Sequence, residues 1–333
     1  MIRACPSTLL LTREQPALVR QLRRAASLHR VRPGVHVHSG DWRRLQPWDR
    51  YLLRVHAVAR TWRAPVFCLE SAAALHGMPV FDEPRDIHLL SEDGRTWRQG
   101  DVWVHGAQDA RRVVEEDGLG LTGAVDTAVD LCRVLPPAFA LAVADNAMRG
   151  LHRSGLALDL SSHGRAQADR RGLRQLDWLQ SRASHLAESV GESVSRAAIE
   201  WLGYEHPGLQ VGFHYEGASD RVDFYWRRLR TIGESDGWGK YDADDPEAVM
   251  AHFVDEKRRE DRLRRHESGF IRWEWADVIR FERLDERLRQ GGLRRVRPVQ
   301  TSLLQTLGAN PRSLPRARRT KGFSSKPGSP TSG

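Results

Sequence analysis

The chain is poor in cysteine, in lysine and in long apolar runs, and each shortage closes off a class of protein. Its three cysteines, Cys5, Cys68 and Cys132, lie far apart and form no Cys-x-x-Cys pair. Neither a disulfide framework nor a cysteine-rich zinc site is therefore expected, and the three read as buried or free thiols. No run of about 18 apolar residues occurs, which argues against a membrane span. The apolar stretch before Arg13 and Glu14 is too short for the core of a secretory signal. The expectation is a cytoplasmic protein with no membrane partner. Lysine appears four times against 48 arginines, an imbalance that reflects a GC-rich genome more than a demand for bidentate phosphate contacts. With 333 residues, 40% hydrophobic and 29% charged, the chain is long enough for two domains with a sizeable core.

The formal net charge of +9 is unevenly placed. Residues 291–333 carry nine Arg or Lys and no acid, residues 1–60 carry twelve Arg against Glu14, Asp41 and Asp49, and residues 61–290 are net acidic. Two basic ends flank an acidic middle. Clustered arginine is what binding to a phosphate backbone requires, although a solvated surface or a disordered tail gives the same count. DNA is the expected partner.

TREQPALVRQLRRAAS predicts a helix over 12–27, with Thr12 as its cap and Leu18 and Leu22 on one side. LHRVRPGVHVHSG alternates about Pro33-Gly34 and predicts a two-stranded ribbon. A helix followed at once by a basic ribbon is the minimal outline of a winged helix. Arg20, Arg23 and Arg24 on the helix and Arg30 and Arg32 on the ribbon would then reach phosphates. A small α+β subdomain with a solvated basic face fits the same residues. WDRYLLRVHAVARTW predicts a second helix over 48–62, and CLESAAALHGMPV a third that closes at Gly77 with Pro79 beyond it. The SAAALHG stretch needs no chemistry, because alanines permit close packing and His76 suits a helix C-terminus. His36 and His38 share one side of a strand, with no third ligand nearby to make a zinc site.

The succession LHRVRPGVHV, RVHAVARTW, LESAAALHGMPVFDEPRDIHLL and GLTGAVDTAVDLCRVLPPAFALAVADNAMR, over about residues 8–155, resembles AbiEi-type antitoxins, the winged-helix transcriptional regulators of toxin–antitoxin systems. The resemblance implies a DNA-binding module over 1–60 and a mixed α/β connector over 61–180. As a regulator, the protein would have a toxin encoded nearby as its partner.

From residue 185 the pattern becomes one helix, HLAESVGESVSRAAIEWLGY, then strands LQVGFHYEG, DRVDFYW and RLRTIGES in an antiparallel meander. A long helix ending at Gly269 and an aromatic strand, FIRWEWADVI, complete it. Glu192 lies on the first helix, Asp223 on the second strand, and Glu234 and Asp236 two apart on the third, facing one side. With a turn near 227–229, Asp223 and Glu234 become neighbours across the ladder, and two close carboxylates repel unless something positive lies between them. Mg²⁺ or Mn²⁺ would supply that charge, taking one or two carboxylates plus water and phosphate oxygens. Asp236-Gly237 also reads as an ordinary turn former.

Through VGESVSR, RVDFYW, IGESDG and KRREDRLRRHESGFIRWEWADV, over about residues 186–281, this region resembles the PD-(D/E)XK nucleases, in the branch related to very-short-patch repair endonucleases. The resemblance implies Glu192, Asp223, Glu234 and Asp236 as metal ligands. It implies Asp223, Glu234, Asp236 and Lys240 as the catalytic set, with Lys240, or Lys257, polarising water from a shifted position. Asp236 stands where the superfamily has a lysine two after the acid, and the histidine often found after the glycine is absent. The expected fold is α+β and multidomain: a winged-helix-like module, the helical and mixed connector, a restriction-endonuclease-like αβββαβ domain over 181–290, and a basic disordered tail over 291–333. One expected function is a Mg²⁺-dependent endonuclease acting in defence or DNA repair. The other is a non-catalytic AbiEi-like regulator that keeps a degenerate nuclease fold.

Overall fold

A computed structural model of the chain describes residues 2–91, 93–106, 109–236, 246–308 and 310–314. Within them it is a mixed α+β protein with three sheets. The N-terminal part comprises β1 (Leu10–Leu11), α1 (Pro16–Arg24), β2 (Leu28–Arg32), β3 (Val35–His38), α2 (Ser39–Arg44) and α3 (Pro47–Ala59). Its strands run antiparallel in the order β1-β3-β2. The helix predicted over 12–27 starts later, because Leu10 pairs with His36 and the chain is still extended there. Gln15, not Thr12, is the cap, and Pro16 opens the helix where its missing N–H costs nothing. Gly34, at φ 78°, makes the turn of the predicted ribbon.

The next sheet has the order β6-β7-β5-β4-β9-β8. It is built from β4 (Val66–Phe67), β5 (Ile87–Leu90), β6 (Trp97–Gln99), β7 (Val102–His105), β8 (Val113–Glu116) and β9 (Leu119–Thr122), with α4 (Leu69–His76) following β4. Gly77 ends α4 in the left-handed region at φ 73°, as the sequence predicts. Helices α5 (Ala124–Val134), α6 (Pro137–Arg153), α7 (Leu160–Ala166) and α8 (Leu173–Gln180) come next. Buried Arg54 on α3 staples the N-terminal part to this sheet, donating to Pro84 O at 2.9 Å, Arg85 O at 2.7 Å and Asp101 at 2.9 Å. Arg32 joins it on Asp101 at 2.5 Å with its side chain only 12% exposed. Expected to reach a phosphate, Arg32 is instead committed inward by a carboxylate 69 residues away in sequence.

The C-terminal part contains α9 (Val190–Trp201), β10 (Gly208–Tyr215), β11 (Ala218–Trp226), β12 (Thr231–Asp236), α10 (Pro246–His266), β13 (Gly269–Glu274), α11 (Trp275–Ile279), α12 (Phe281–Gln290) and α13 (Thr301–Leu304). The sheet order is β10-β11-β12-β13. The first three strands form the predicted antiparallel meander, and β13 runs parallel to β12 because α10 carries the chain back across the sheet. The aromatic strand predicted through Ile279 stops at Glu274. There Glu274 and Asp277 form a reciprocal capping box that starts α11.

Apolar packing does not pause near residue 180. One buried cluster runs from Ala73 and Phe139 through Leu176 and Trp201 to Phe224, Trp273 and Leu307. The disordered tail predicted over 291–333 is also corrected for 291–308 and 310–314. Leu293, Leu304 and Leu307 are buried, and the chain then crosses to the middle sheet, where Ser313 bridges to Pro84. Arg85 N–H donates to Arg312 O, and Leu314 N–H to Glu83 O, both at 2.8 Å. Arg312 enters the interior as a two-pronged ion pair with Glu70, which is 3% exposed; one prong measures 2.7 Å. Anchoring leucines and a buried acid decide this segment, and composition alone conceals both.

His88 lies 3.4 Å from Glu70 and shares a 2.8 Å hydrogen bond with His105. Burial is the main cause that lowers both imidazoles to about 4. Arg312→Ala is expected to cost about 3–5 kcal/mol in urea unfolding by stranding Glu70; a loss under about 1 kcal/mol would contradict the buried pair. Below pH 6.5 the unfolded chain takes up protons at His88 and His105 that the folded chain refuses until near pH 4. Stability therefore falls as pH drops across that window. The double variant His88→Gln, His105→Gln should lose less between pH 7 and pH 4.5 than the wild type, and an equal loss would remove these histidines as the cause.

Candidate functional site

The site is organised by the first turn of α9. The helix is buried along its length, with Val194, Ala197, Ala198, Ile199 and Trp201 at 0% exposure. Ser195 Oγ accepts from Trp273 Nε1 at 2.9 Å, which ties the helix to β13. Ser189 caps α9, its Oγ accepting from the Glu192 amide at 3.1 Å, while Glu192 Oε2 accepts from Glu188 N–H at 3.0 Å. Glu192 thus has a structural use, and its carboxylate stands fixed at a helix N-terminus.

Gln210 extends the arrangement to the sheet. Its Nε2 donates to Glu192 Oε2 at 2.9 Å and, more weakly, to Asp223 Oδ1 at 3.4 Å. Asp223 Oδ2 accepts from Ser235 N–H at 3.0 Å. One amide therefore bridges the helix carboxylate and the strand carboxylate. Gln210 has φ 51°, in the left-handed region that side-chain-bearing residues seldom occupy. Both strands turn over at this level. Leu209 and Phe224 pack into the main core, whereas Val211 and Val222 pack with Ile232 and Leu263. Strict alternation would hold 209 and 211 on one face, so the irregular pair 210 and 223 re-aims the local side chains.

Glu234 and Asp236 are held differently. Glu234, 7% exposed, lies 2.7 Å from Arg259 on α10 and 3.8 Å from Arg272 on β13. Arg272 also lies 3.4 Å from Asp236, and both arginines pair with Glu256, at 3.1 and 2.8 Å. Burial pushes the Glu234 carboxyl up despite these cations. The positive charge that close carboxylates require is supplied here by two guanidinium groups.

The four acids singled out in the sequence are thus divided. Glu192 and Asp223 meet on Gln210, while Glu234 and Asp236 meet on Arg272, with Arg259 also on Glu234. Among the described residues, no three or more His, Cys, Asp or Glu side chains are grouped so as to hold a metal ion. Two carboxylates converging on one donor do fit a divalent cation that completes its shell with water and phosphate oxygens. Glu192 and Asp223 are the pair that fits, and Glu234 and Asp236 do not fit while the arginines hold them. Lys240 lies outside the described residues. Lys257 pairs with Asp261 at 3.1 Å on the exposed side of α10. No sequence pattern marks Gln210, whose signal is a backbone angle. Arg259 stands within KRRED, where an arginine among five charged residues carries little information.

Of the expected DNA-contacting residues, Arg20, Arg23, Arg24 and Arg30 are exposed, and Arg23 lies 2.7 Å from His36 Nε2. His36 itself is buried and His38 exposed. The chain matches no protein-family model, no curated protein and no solved structure.

Arg259→Ala is expected to cost about 2 kcal/mol, less than a fully stranded buried acid because Arg272 remains beside Glu234. In a double-mutant cycle with Glu234→Gln, read by urea unfolding, the coupling should be about 1 kcal/mol or more. Strict additivity would show that the pair contributes nothing.

Proposed function

We propose that this is a DNA-associated protein whose C-terminal part is a restriction-endonuclease-like domain, with Glu192 and Asp223 holding Mg²⁺ or Mn²⁺ against a DNA phosphate. The reading rests on the Glu192–Gln210–Asp223 bridge, set in the helix, three-strand, helix, strand order that the sequence suggested. A bound divalent ion would lower the pKa of a water and stabilise charge on the phosphodiester. The chain's own contribution is positional. Ser189 and Glu188 fix Glu192, Ser235 N–H fixes Asp223, and the basic N-terminal part, read as a winged-helix-like module, brings Arg20, Arg24 and Arg30 to the phosphate backbone.

A second reading has its own support. Arg259 and Arg272 neutralise Glu234 and Asp236 without any ion, which favours a non-catalytic, AbiEi-like regulator that keeps the fold as scaffold and has a toxin as its cytoplasmic partner.

Calorimetric titration of Mg²⁺ and Mn²⁺ at low salt, with a non-cleavable short duplex present, separates the two. The nuclease reading expects ion uptake by the wild type and its loss in Asp223→Asn. Equal uptake by both, with duplex binding retained, leaves the regulator. On either reading Arg20→Ala and Arg24→Ala should weaken duplex binding uniformly across sequences and reduce the salt slope by about 1 each. An unchanged slope would place the DNA elsewhere on the protein.

A further inference from the structure

We propose that Trp62 and Trp97 form a stacking platform for the bases of single-stranded DNA, separate from the carboxylate site. The two indoles are stacked, with ring centroids 5.6 Å apart and planes 17° from parallel. They divide the work. Trp62, just beyond α3, is half-buried against the core of the middle sheet, whereas Trp97 is 43% exposed. Trp97 sits on β6, an edge strand whose three residues are all exposed. An indole needed only to cover that core would be buried by it. Here the inner ring does the covering and props the outer ring in a fixed orientation.

The charges around the pair suit a polyanion. Arg95 is 84% exposed in its side chain, and Arg98 is 50% exposed while lying over the Trp103 ring. Arg63, next to Trp62, is exposed and forms no ion pair among the described residues. The described carboxylates nearby are already matched: Asp93 with Arg95, Asp86 with Arg98, and Glu14 with Arg60. Among the described residues, Arg63 is a cation beside the platform that these carboxylates leave unmatched. Arg60 closes α3, and its carbonyl accepts from Arg13 at 2.7 Å, so this corner is continuous with the basic N-terminal part.

Rigid aromatic faces beside mobile guanidinium groups are the combination that binds unpaired nucleotides, since every base presents a π-face and its phosphate needs only a nearby cation. In a duplex those faces are already occupied by neighbouring bases. The platform therefore selects for unpaired strand, which the basic helix and ribbon do not.

The full chain, in EDTA so that no cleavage intervenes, is titrated into fluorescently labelled oligo(dT) of about 12 nucleotides and into a duplex of equal length, followed by anisotropy. Trp97→Ala should weaken oligo(dT) binding about 5- to 100-fold while changing duplex binding less than about 2-fold. Trp97→Phe should keep most of the affinity, and Arg63→Ala should lower oligo(dT) affinity and flatten its salt dependence. Circular dichroism and thermal midpoints matching the wild type establish that the variants fold. Three results would overturn the proposal: no oligo(dT) binding by the wild type, no loss in Trp97→Ala, or equal loss on both substrates.

Discussion

Helix α9 has no open side, and that constraint orders the rest of the molecule. On one flank Arg196 reaches Asp145 of α6 at 2.8 Å, with Asp145 only 1% exposed. On another, Ser195 holds the Trp273 indole of β13. A helix fixed on both flanks cannot slide, so the carboxylate on its first turn is placed to within the tolerance of the core. The four-stranded sheet is placed by the same contacts. The convergence of Glu192 and Asp223 is therefore a result of packing, and its backbone strain is confined to Gln210.

Arginine plays two parts here that its abundance conflates. Buried Asp145, Glu200, Glu70 and Glu234 are met by Arg196, Arg182, Arg312 and Arg259 respectively. Arg32 and Arg54 are committed to Asp101 in the same way. The guanidinium group suits this use because its planar fork satisfies both carboxylate oxygens and it is weakly hydrated. A count of basic residues thus overstates the charge offered to a nucleic acid. Exposure separates the arginines that face outward, such as Arg20, Arg24 and Arg63, from those that neutralise the interior.

Much of the architecture is legible in the residue pattern, because hydrophobic periodicity is local. The ribbon about Gly34, the close of α4 at Gly77 and the order of elements from α9 to β13 all follow from it. What escaped depends on contacts distant in sequence. The late start of α1 is imposed by a strand pairing of Leu10 with His36, and the end of β13 by a cap three residues on. The order of residues 291–308 rests on Leu293, well separated from the rest, and on Leu304 and Leu307, which lie in a helical stretch too short to make a periodic signal. At the candidate site the pattern identifies Glu192, Asp223, Glu234 and Asp236 as side chains worth following. It gives no sign that Gln210 takes two of them and the arginines the other two, since partner choice among charges is settled by three-dimensional proximity.

The Glu70–Arg312 pair also bears on how the chain is made. Its members are 242 residues apart, so at ordinary synthesis rates about 10–50 s separate their appearance. Until Arg312 emerges, the middle sheet must exist with an uncompensated interior acid, or remain loose enough to keep that acid wet. Final consolidation around Glu70 is thereby deferred until Arg312 has been made. A nascent chain whose residues 310–314 have not yet emerged would leave Glu70 without the guanidinium that meets it in the folded protein.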